Sequence, residues 1–115
     1  MRQAWINDLR DLLAEIISSA LHYYVAGFEN RKDEEYQRLT LLEHKVQLML
    51  NPNEQDHKQL EVAIRRMIEL IDRAADPDNE FPDLHAHVIA LSRSIFKREW
   101  SRVKEPLTMS SDGEA

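Results

Sequence analysis

Apolar residues recur at helical spacing in one long stretch near the middle of the chain. Between residues 54 and 75 they lie three and four positions apart, at Leu60, Ala63, Ile64, Met67, Leu70, Ile71 and Ala74. Residues at these spacings share one face of an α-helix, whereas a half-buried strand would show strict alternation. Glu61 and Arg65, on the other side, stand in the favourable order for an i,i+4 ion pair. The pattern predicts an amphipathic helix from about Glu54 to Ala75.

Three further segments show the same period and predict helices from about Trp5 to Phe28, Asp33 to Leu50 and Asp83 to Lys104. The whole chain of 115 residues contains two Gly and four Pro, so it has few places to turn. Few turns imply few, long elements. We therefore predict an all-α fold, an antiparallel helical bundle of about four helices. It forms a single helical domain over residues 1–105, followed by a flexible polar tail over 106–115.

The connectors between the predicted helices have the composition of tight turns. Gly27 suits the end of the first helix, because glycine adopts the left-handed backbone conformation without a steric penalty. "NPNE", residues 51–54, predicts a sharp reversal in which Asn51 takes a left-handed cap and Pro52 stops the helix. Such a short connector predicts an αα-hairpin of the second and third helices. "DPDNEFPD", residues 76–83, predicts a loop with a helix cap at or near Asp83.

Charge and composition exclude several broad classes. A net charge of −6 opposes general attraction to nucleic acid or to anionic lipid. The chain has no cysteine, which removes disulfides and thiolate chemistry and is compatible with a reducing compartment. Charged residues interrupt the N-terminal apolar segment, so it predicts neither a membrane span nor a signal peptide. The expected location is cytoplasmic.

Three segments together resemble a group of small, uncharacterised bacterial helical proteins. They are "RQAWINDLRDLLAEII" at residues 2–17, "EHKVQLMLNPNEQDHKQL" at 43–60 and "KREWSRVK" at 97–104. Many members of that group carry one membrane-spanning helix just before the first segment. The resemblance implies a helical domain on the cytoplasmic face of the inner membrane, and it transfers no catalytic residue, ligand or cofactor.

Histidines offer the only candidates for metal chemistry. His85 and His87 are two residues apart, which turns them about 200° from each other on a helix, so one helix cannot easily present both to one ion. "EQDH", residues 54–57, has the Glu-x-x-His spacing of di-iron bundles, in which the motif occurs twice, and here it occurs once. We therefore predict no metal, no cofactor and no catalytic residue. A metal-dependent helical enzyme that uses His57, His85 or His87 with carboxylates stays the alternative.

One stretch combines cations with aromatic residues. "RSIFKREWSRVK", residues 93–104, predicts a possible basic patch of Arg93, Lys97 and Lys104 beside two aromatic side chains. Cations near a helix C-terminus also complement the helix dipole without any ligand. A nucleic-acid-binding module that uses this end of the last helix is therefore a further alternative, although the acidic net charge argues against nucleic acid as a partner.

The first and last predicted helices carry apolar residues over a wide arc. Surplus apolar surface is commonly covered by a partner, and a two-fold dimer is the simplest closed solution. We therefore predict a homo-oligomer, most simply a dimer, and an unknown protein partner. The predicted interface residues are Trp5, Leu9, Leu13, Phe28, Phe96 and Trp100. The leading functional hypothesis is a non-enzymatic interaction or scaffold module that acts through apolar helix faces, with membrane attachment only through a segment not present here.

Overall fold

The computed structural model describes residues 2–28 and 32–104, and these residues form four helices and no strand. The helices are α1 (Arg2–Ala26), α2 (Asp33–Met49), α3 (Gln55–Arg73) and α4 (Phe81–Lys104). The predicted all-α class is confirmed, and each predicted helix is present with ends that differ by a few residues. The predicted polar tail, residues 106–115, lies outside the described residues.

The helix ends show which local interactions stop each helix. Gly27 has φ 95° directly after α1, so the predicted glycine terminus is confirmed. Ala74 ends α3 with φ 54°, a left-handed conformation that alanine adopts less readily than glycine does. α4 begins at Phe81, two residues before Asp83, because the Asp76 carboxylate accepts the backbone N–H groups of Glu80 and Phe81 at 2.7 and 2.9 Å. The cap predicted at or near Asp83 therefore lies slightly too late in the chain, and the capping carboxylate comes from Asp76 in the preceding loop.

Contacts between neighbouring helices establish an up-down-up-down order. The Trp5 indole of α1 donates to the carbonyl of Met49 at the far end of α2, at 3.2 Å. Gln47 of α2 donates to Glu61 of α3 at 2.8 Å, which confirms the predicted αα-hairpin. Between α3 and α4 the early residue Asp56 contacts Arg98, late in α4. α4 also packs against α1, so the four helices enclose one core.

The core takes up most of the apolar arc that the sequence shows on α1. Leu9 and Leu13 have 0% and 1% of their surface exposed, and Phe28 is also buried. These three residues were predicted to form an interface with a partner, and that prediction is wrong. They pack instead against the facing sides of the other helices in the same chain. A helix in a bundle has two adjacent neighbours and one diagonal neighbour, so a wide apolar arc can be covered internally.

None of the four helices in residues 2–28 and 32–104 is both long and apolar enough to span a membrane.

Candidate functional site

The corner between α2 and α3 is built around a buried histidine. His57, in the first turn of α3, has 2% of its surface exposed. Its Nδ1 accepts the backbone N–H of Asn51 at 2.8 Å. That N–H lies just beyond the last turn of α2 and has no helical acceptor, because the chain turns away at Leu50. His57 therefore supplies the missing acceptor from across the corner.

Other contacts fix the same corner. The Asn51 side-chain oxygen accepts the N–H of Asn53 at 2.9 Å, and its backbone oxygen accepts that of Glu54 at 3.1 Å. Asn51 is not among the described residues with positive φ, so the predicted left-handed cap is wrong and the reversal is a hydrogen-bonded turn around Pro52. The Trp5 ring lies parallel to that of His57, with centroids 6.2 Å apart. α1 thus covers the corner from one side.

The acidic residues at the start of α3 meet arginines at the end of α4. Arg98 contacts Glu54 at 2.8 Å and makes a two-pronged contact with the Asp56 carboxylate. The hydrogen bond from Arg98 holds the pKa of Asp56 below its usual value, against the opposing effect of burial. Arg102 contacts Glu99 at 2.9 Å, and the Glu99 side chain is almost fully buried. This ionic cluster joins the two helices at the corner end of the bundle.

Three residues of this cluster bring possible metal ligands together. One ring nitrogen of His57 and one carboxylate oxygen each of Glu54 and Glu99 lie within 4.8 Å of one another. Within the described part of the chain, His57 Nε2 is buried without a hydrogen-bond partner. The sequence identified the Glu54 and His57 pair but missed Glu99, because Glu99 is on another helix and its spacing carries no signal. Proximity alone makes this group the strongest candidate for a metal centre.

The protonation of His57 argues against metal binding. The Asn51 amide is the donor in its bond to Nδ1, so Nδ1 bears the lone pair and neutral imidazole carries its proton on Nε2. A metal needs a lone pair on the nitrogen it binds, and ligating histidines normally donate the other N–H to an acceptor. Here Nδ1 of His57 accepts a hydrogen bond instead of donating one. Arg98 and Arg102 already neutralise the two carboxylates. The residues present therefore do not fit a metal ion.

The remaining candidate histidines do not converge on one point. His85 Nε2 lies 3.2 Å from the backbone oxygen of Ile17, and its ring stacks on Phe81 with centroids 5.6 Å apart. His87 is exposed in a groove between α3 and α4. Among the described residues, neither belongs to a group of three possible metal ligands. The diverging directions that the two-residue spacing predicts are thus observed.

A second candidate site is the groove between α1 and α4, which we call the basic groove. It has a volume of about 410 Å³, and its lining residues are Ile6, Arg10, Arg93, Phe96, Lys97 and Trp100. Ile6 and Phe96 form a largely buried floor, whereas Trp100 keeps 38% of its surface exposed. The ammonium group of Lys104 lies 5.8 Å from the centroid of the Trp100 ring. Cations and apolar surface therefore alternate along one side of α4.

The basic groove contains most of the basic patch that the sequence indicated. Arg93 and Lys97 line it, and Lys104 stands at its end over the aromatic ring. Arg10 was missed, because it is contributed by α1 and no local spacing connects it with α4. Within the described residues, Arg93, Lys97 and Lys104 have no carboxylate within 4.0 Å, whereas Arg98 and Arg102 on the other side of α4 contact several. Three cations of α4 at the groove are thus not paired with a carboxylate of residues 2–28 or 32–104.

The predicted interface residues lie in different environments in the structure. Trp5 is only partly exposed and is held by the Met49 carbonyl and the His57 ring. Phe96 and Trp100 line the basic groove, Phe96 as part of its largely buried floor and Trp100 with an exposed ring. Of the six predicted interface residues, Trp100 is therefore the one that keeps more than a third of its surface exposed, whereas Leu21 and Val25, which were not predicted, are the exposed large apolar residues of α1.

Other grooves on the surface lack this combination of features. Between α1 and α2, Arg38 is already paired with Glu15 at 2.9 Å, and Asp8, Asp11 and Lys45 leave a mixture of charges. The groove between α3 and α4 is apolar along Val62 and Leu84, and its guanidinium group, on Arg66, contacts Glu80. The basic groove is therefore the strongest candidate for binding.

Comparison with known proteins returned no match to a family model, to a curated protein or to a solved structure. The family resemblance drawn from the sequence stays a prediction.

Proposed function

We propose that this chain is a non-enzymatic interaction module that binds a protein partner through the basic groove. The observation that carries the proposal is the exposed Trp100 ring, which lies between Lys97 and Lys104 on α4. Neither of these two cations has a carboxylate partner in the described residues. Tryptophan and arginine are the residues most enriched at energetically dominant positions of interfaces. A half-exposed tryptophan at the mouth of an apolar groove therefore supports docking on this face.

The buried polar cluster supports a structural role in preference to catalysis. His57 uses Nδ1 to hold the α2–α3 corner, and the carboxylates of Glu54 and Glu99 are engaged by arginines. A general base needs a free lone pair near a substrate, and a nucleophile needs an activating base beside it. The cluster's ionisable groups are already used to join helices. The absence of cysteine from the sequence is compatible with action in a reducing compartment such as the cytoplasm.

Self-association through the basic groove is less favourable than binding of a different chain. A two-fold interface brings the same patch of both copies together. Arg93, Lys97 and Lys104 of one copy would then face the same cations of the other. Like charges brought together in a desolvated interface cost free energy. The predicted dimer therefore finds no support on this face, and a partner with complementary charge does.

Site-specific photo-crosslinking in the native cell tests the proposal. A benzophenone amino acid at Ser101, exposed one position beyond Trp100, should give a discrete protein adduct. The same amino acid at Gln37, exposed on α2, is the control and should give none. Lys97→Glu should abolish the adduct at position 101. The proposal fails if no adduct forms, if both positions give the same adduct, or if Lys97→Glu has no effect.

A further inference from the structure

The basic groove has the length and composition of a site for a single helix. Arg93, Lys97, Trp100 and Lys104 follow one another at spacings of four, three and four residues. They form one stripe along α4 that spans about 16 Å, at a rise of about 1.5 Å per residue. The apolar floor runs beside this stripe, between two antiparallel helices. An amphipathic helix that inserts its apolar face into such a groove is a recurrent mode of peptide recognition.

The charge of the groove selects among helices. A partner helix whose apolar face meets Trp100 and Phe96 would place its flanking residues opposite Arg10 on one side and Lys97 on the other. Acidic residues at these flanking positions would be attracted, and basic ones repelled. Arg93, Lys97 and Lys104 have no carboxylate within 4.0 Å in the described residues. Arg10 makes one exposed contact, at 4.0 Å, with Asp11, so this is the one existing ion pair that the partner would compete with.

The distribution of charge over the whole chain disfavours polyanions as partners. The chain carries a net charge of −6, which opposes the approach of nucleic acid or of an anionic membrane to the molecule as a whole. At physiological ionic strength charges interact over about 8 Å, so a short helix confined to the groove senses mainly the local cations. Membrane-binding basic segments commonly contain about four to eight adjacent cations, so this groove, with Arg10 and three cations of α4, stands at the lower end of that range.

We infer that the basic groove binds an acidic amphipathic helix of another protein, with its apolar stripe against Trp100 and Phe96 and its carboxylates toward Arg10, Arg93 and Lys97. This inference rests on the proposed function and specifies the partner of the same surface. The contact is a non-covalent one, in which the aromatic side chain supplies buried area and the cations supply selectivity and faster association.

Fluorescence anisotropy with designed peptides tests the inference on the full chain. The probe is a labelled amphipathic peptide of about 18 residues, built from strong helix formers with a leucine stripe flanked by glutamates. Matched peptides carry glutamine or lysine in place of glutamate. We expect the acidic peptide to bind at least about tenfold more tightly than the glutamine peptide, and the lysine peptide to bind most weakly. Raising the ionic strength should weaken binding of the acidic peptide alone.

Variants of the chain locate the bound peptide. The double change Arg93→Glu and Lys97→Glu should weaken binding of the acidic peptide by about tenfold or more, and Trp100→Ala should have a similar effect. Lys58→Glu reverses an exposed charge in the groove between α3 and α4 and should change affinity by less than about twofold. Circular dichroism and urea unfolding confirm that each variant is folded.

Several outcomes would overturn the inference. Equal binding of the three peptides, or a larger effect of Lys58→Glu than of the groove variants, would show that charge in the basic groove does not select the ligand. Tighter binding to anionic phospholipid vesicles or to a single-stranded oligonucleotide would assign the surface to another class of partner. If a crosslinked adduct depends on Lys97 while no acidic peptide binds, the proposed function stands and this inference falls.

Discussion

Replacing His57 with phenylalanine separates the corner hydrogen bond from the packing of the ring. Phenylalanine keeps an aromatic ring of similar size beside Trp5 but offers no acceptor to the N–H of Asn51. If His57 holds the α2–α3 corner as the geometry indicates, His57→Phe destabilises the protein although the buried apolar surface does not decrease.

The expected loss follows from one partly buried hydrogen bond. An amide N–H left without an acceptor costs about 1–3 kcal/mol. Removing the unpartnered Nε2–H of His57 recovers part of this loss, so we expect a net decrease of about 1–2 kcal/mol in the free energy of unfolding. His57→Ala also removes the ring and leaves a cavity at a site with 2% exposure, so its loss should reach about 2–4 kcal/mol.

Urea unfolding measures the global loss, and amide hydrogen exchange measures the local one. The Asn51 amide should exchange at least about tenfold faster in His57→Phe, a ratio that corresponds to about 1.4 kcal/mol. The exchange rates of amides in the middle of α4 should change only as far as the global free energy of unfolding changes. Unchanged stability together with an unchanged Asn51 exchange rate would show that this hydrogen bond does not hold the corner. The assignment of the neutral His57 proton to Nε2 would then no longer follow.

The remaining predictions concern a metal, a helix end and an ion pair. Added Zn²⁺ or a chelator should leave the Tm of the wild-type chain unchanged, because the Nδ1 lone pair of His57 already accepts the Asn51 N–H and the carboxylates of Glu54 and Glu99 are paired with arginines. A rise in Tm that scales with zinc concentration would contradict this. Ala74→Gly should raise the free energy of unfolding by about 0.5–1 kcal/mol, because glycine adopts φ 54° without strain, and calorimetry showing a lower Tm would oppose it. The pKa of Asp56 is lowered in the folded chain, so its contribution is complete above its unfolded pKa, about 3.9, and is lost as the pH falls through the folded value. Asp56→Asn should therefore cost about 1–2 kcal/mol at pH 7 and reduce the dependence of stability on pH below about 4, which unfolding across that range measures directly.

Local sequence patterns were sufficient for the helices and most of their connections. The stripe from Leu60 to Ala74 predicts α3, and the glycine after Ala26 predicts the end of α1. These features depend on the identity of residues within one or two turns, since helical period and backbone preference are local properties. The position of the α4 cap was not predicted correctly, because the capping residue Asp76 lies in a loop whose conformation does not follow from local residue preferences.

The basic groove was only half predictable. Arg93, Lys97 and Trp100 repeat along one helix, so their alignment follows from the sequence. Arg10 and Ile6 join them only because α1 packs antiparallel to α4 at that level. Glu99 could not be placed beside Glu54 and His57 from the sequence for the same reason, because it lies on a different helix.

The sequence by itself determined that this chain forms four amphipathic helices with an αα-hairpin at residues 51–54, because these features arise from spacing along the chain. Tertiary structure alone decided which apolar residues stay outside. The sequence shows Leu9, Leu13, Phe28 and Trp100 alike as apolar residues at helical spacing. The first three are enclosed by neighbouring helices, whereas Trp100 is exposed. The physical reason is that burial depends on the rotation and neighbours of each helix, which many distant contacts fix together.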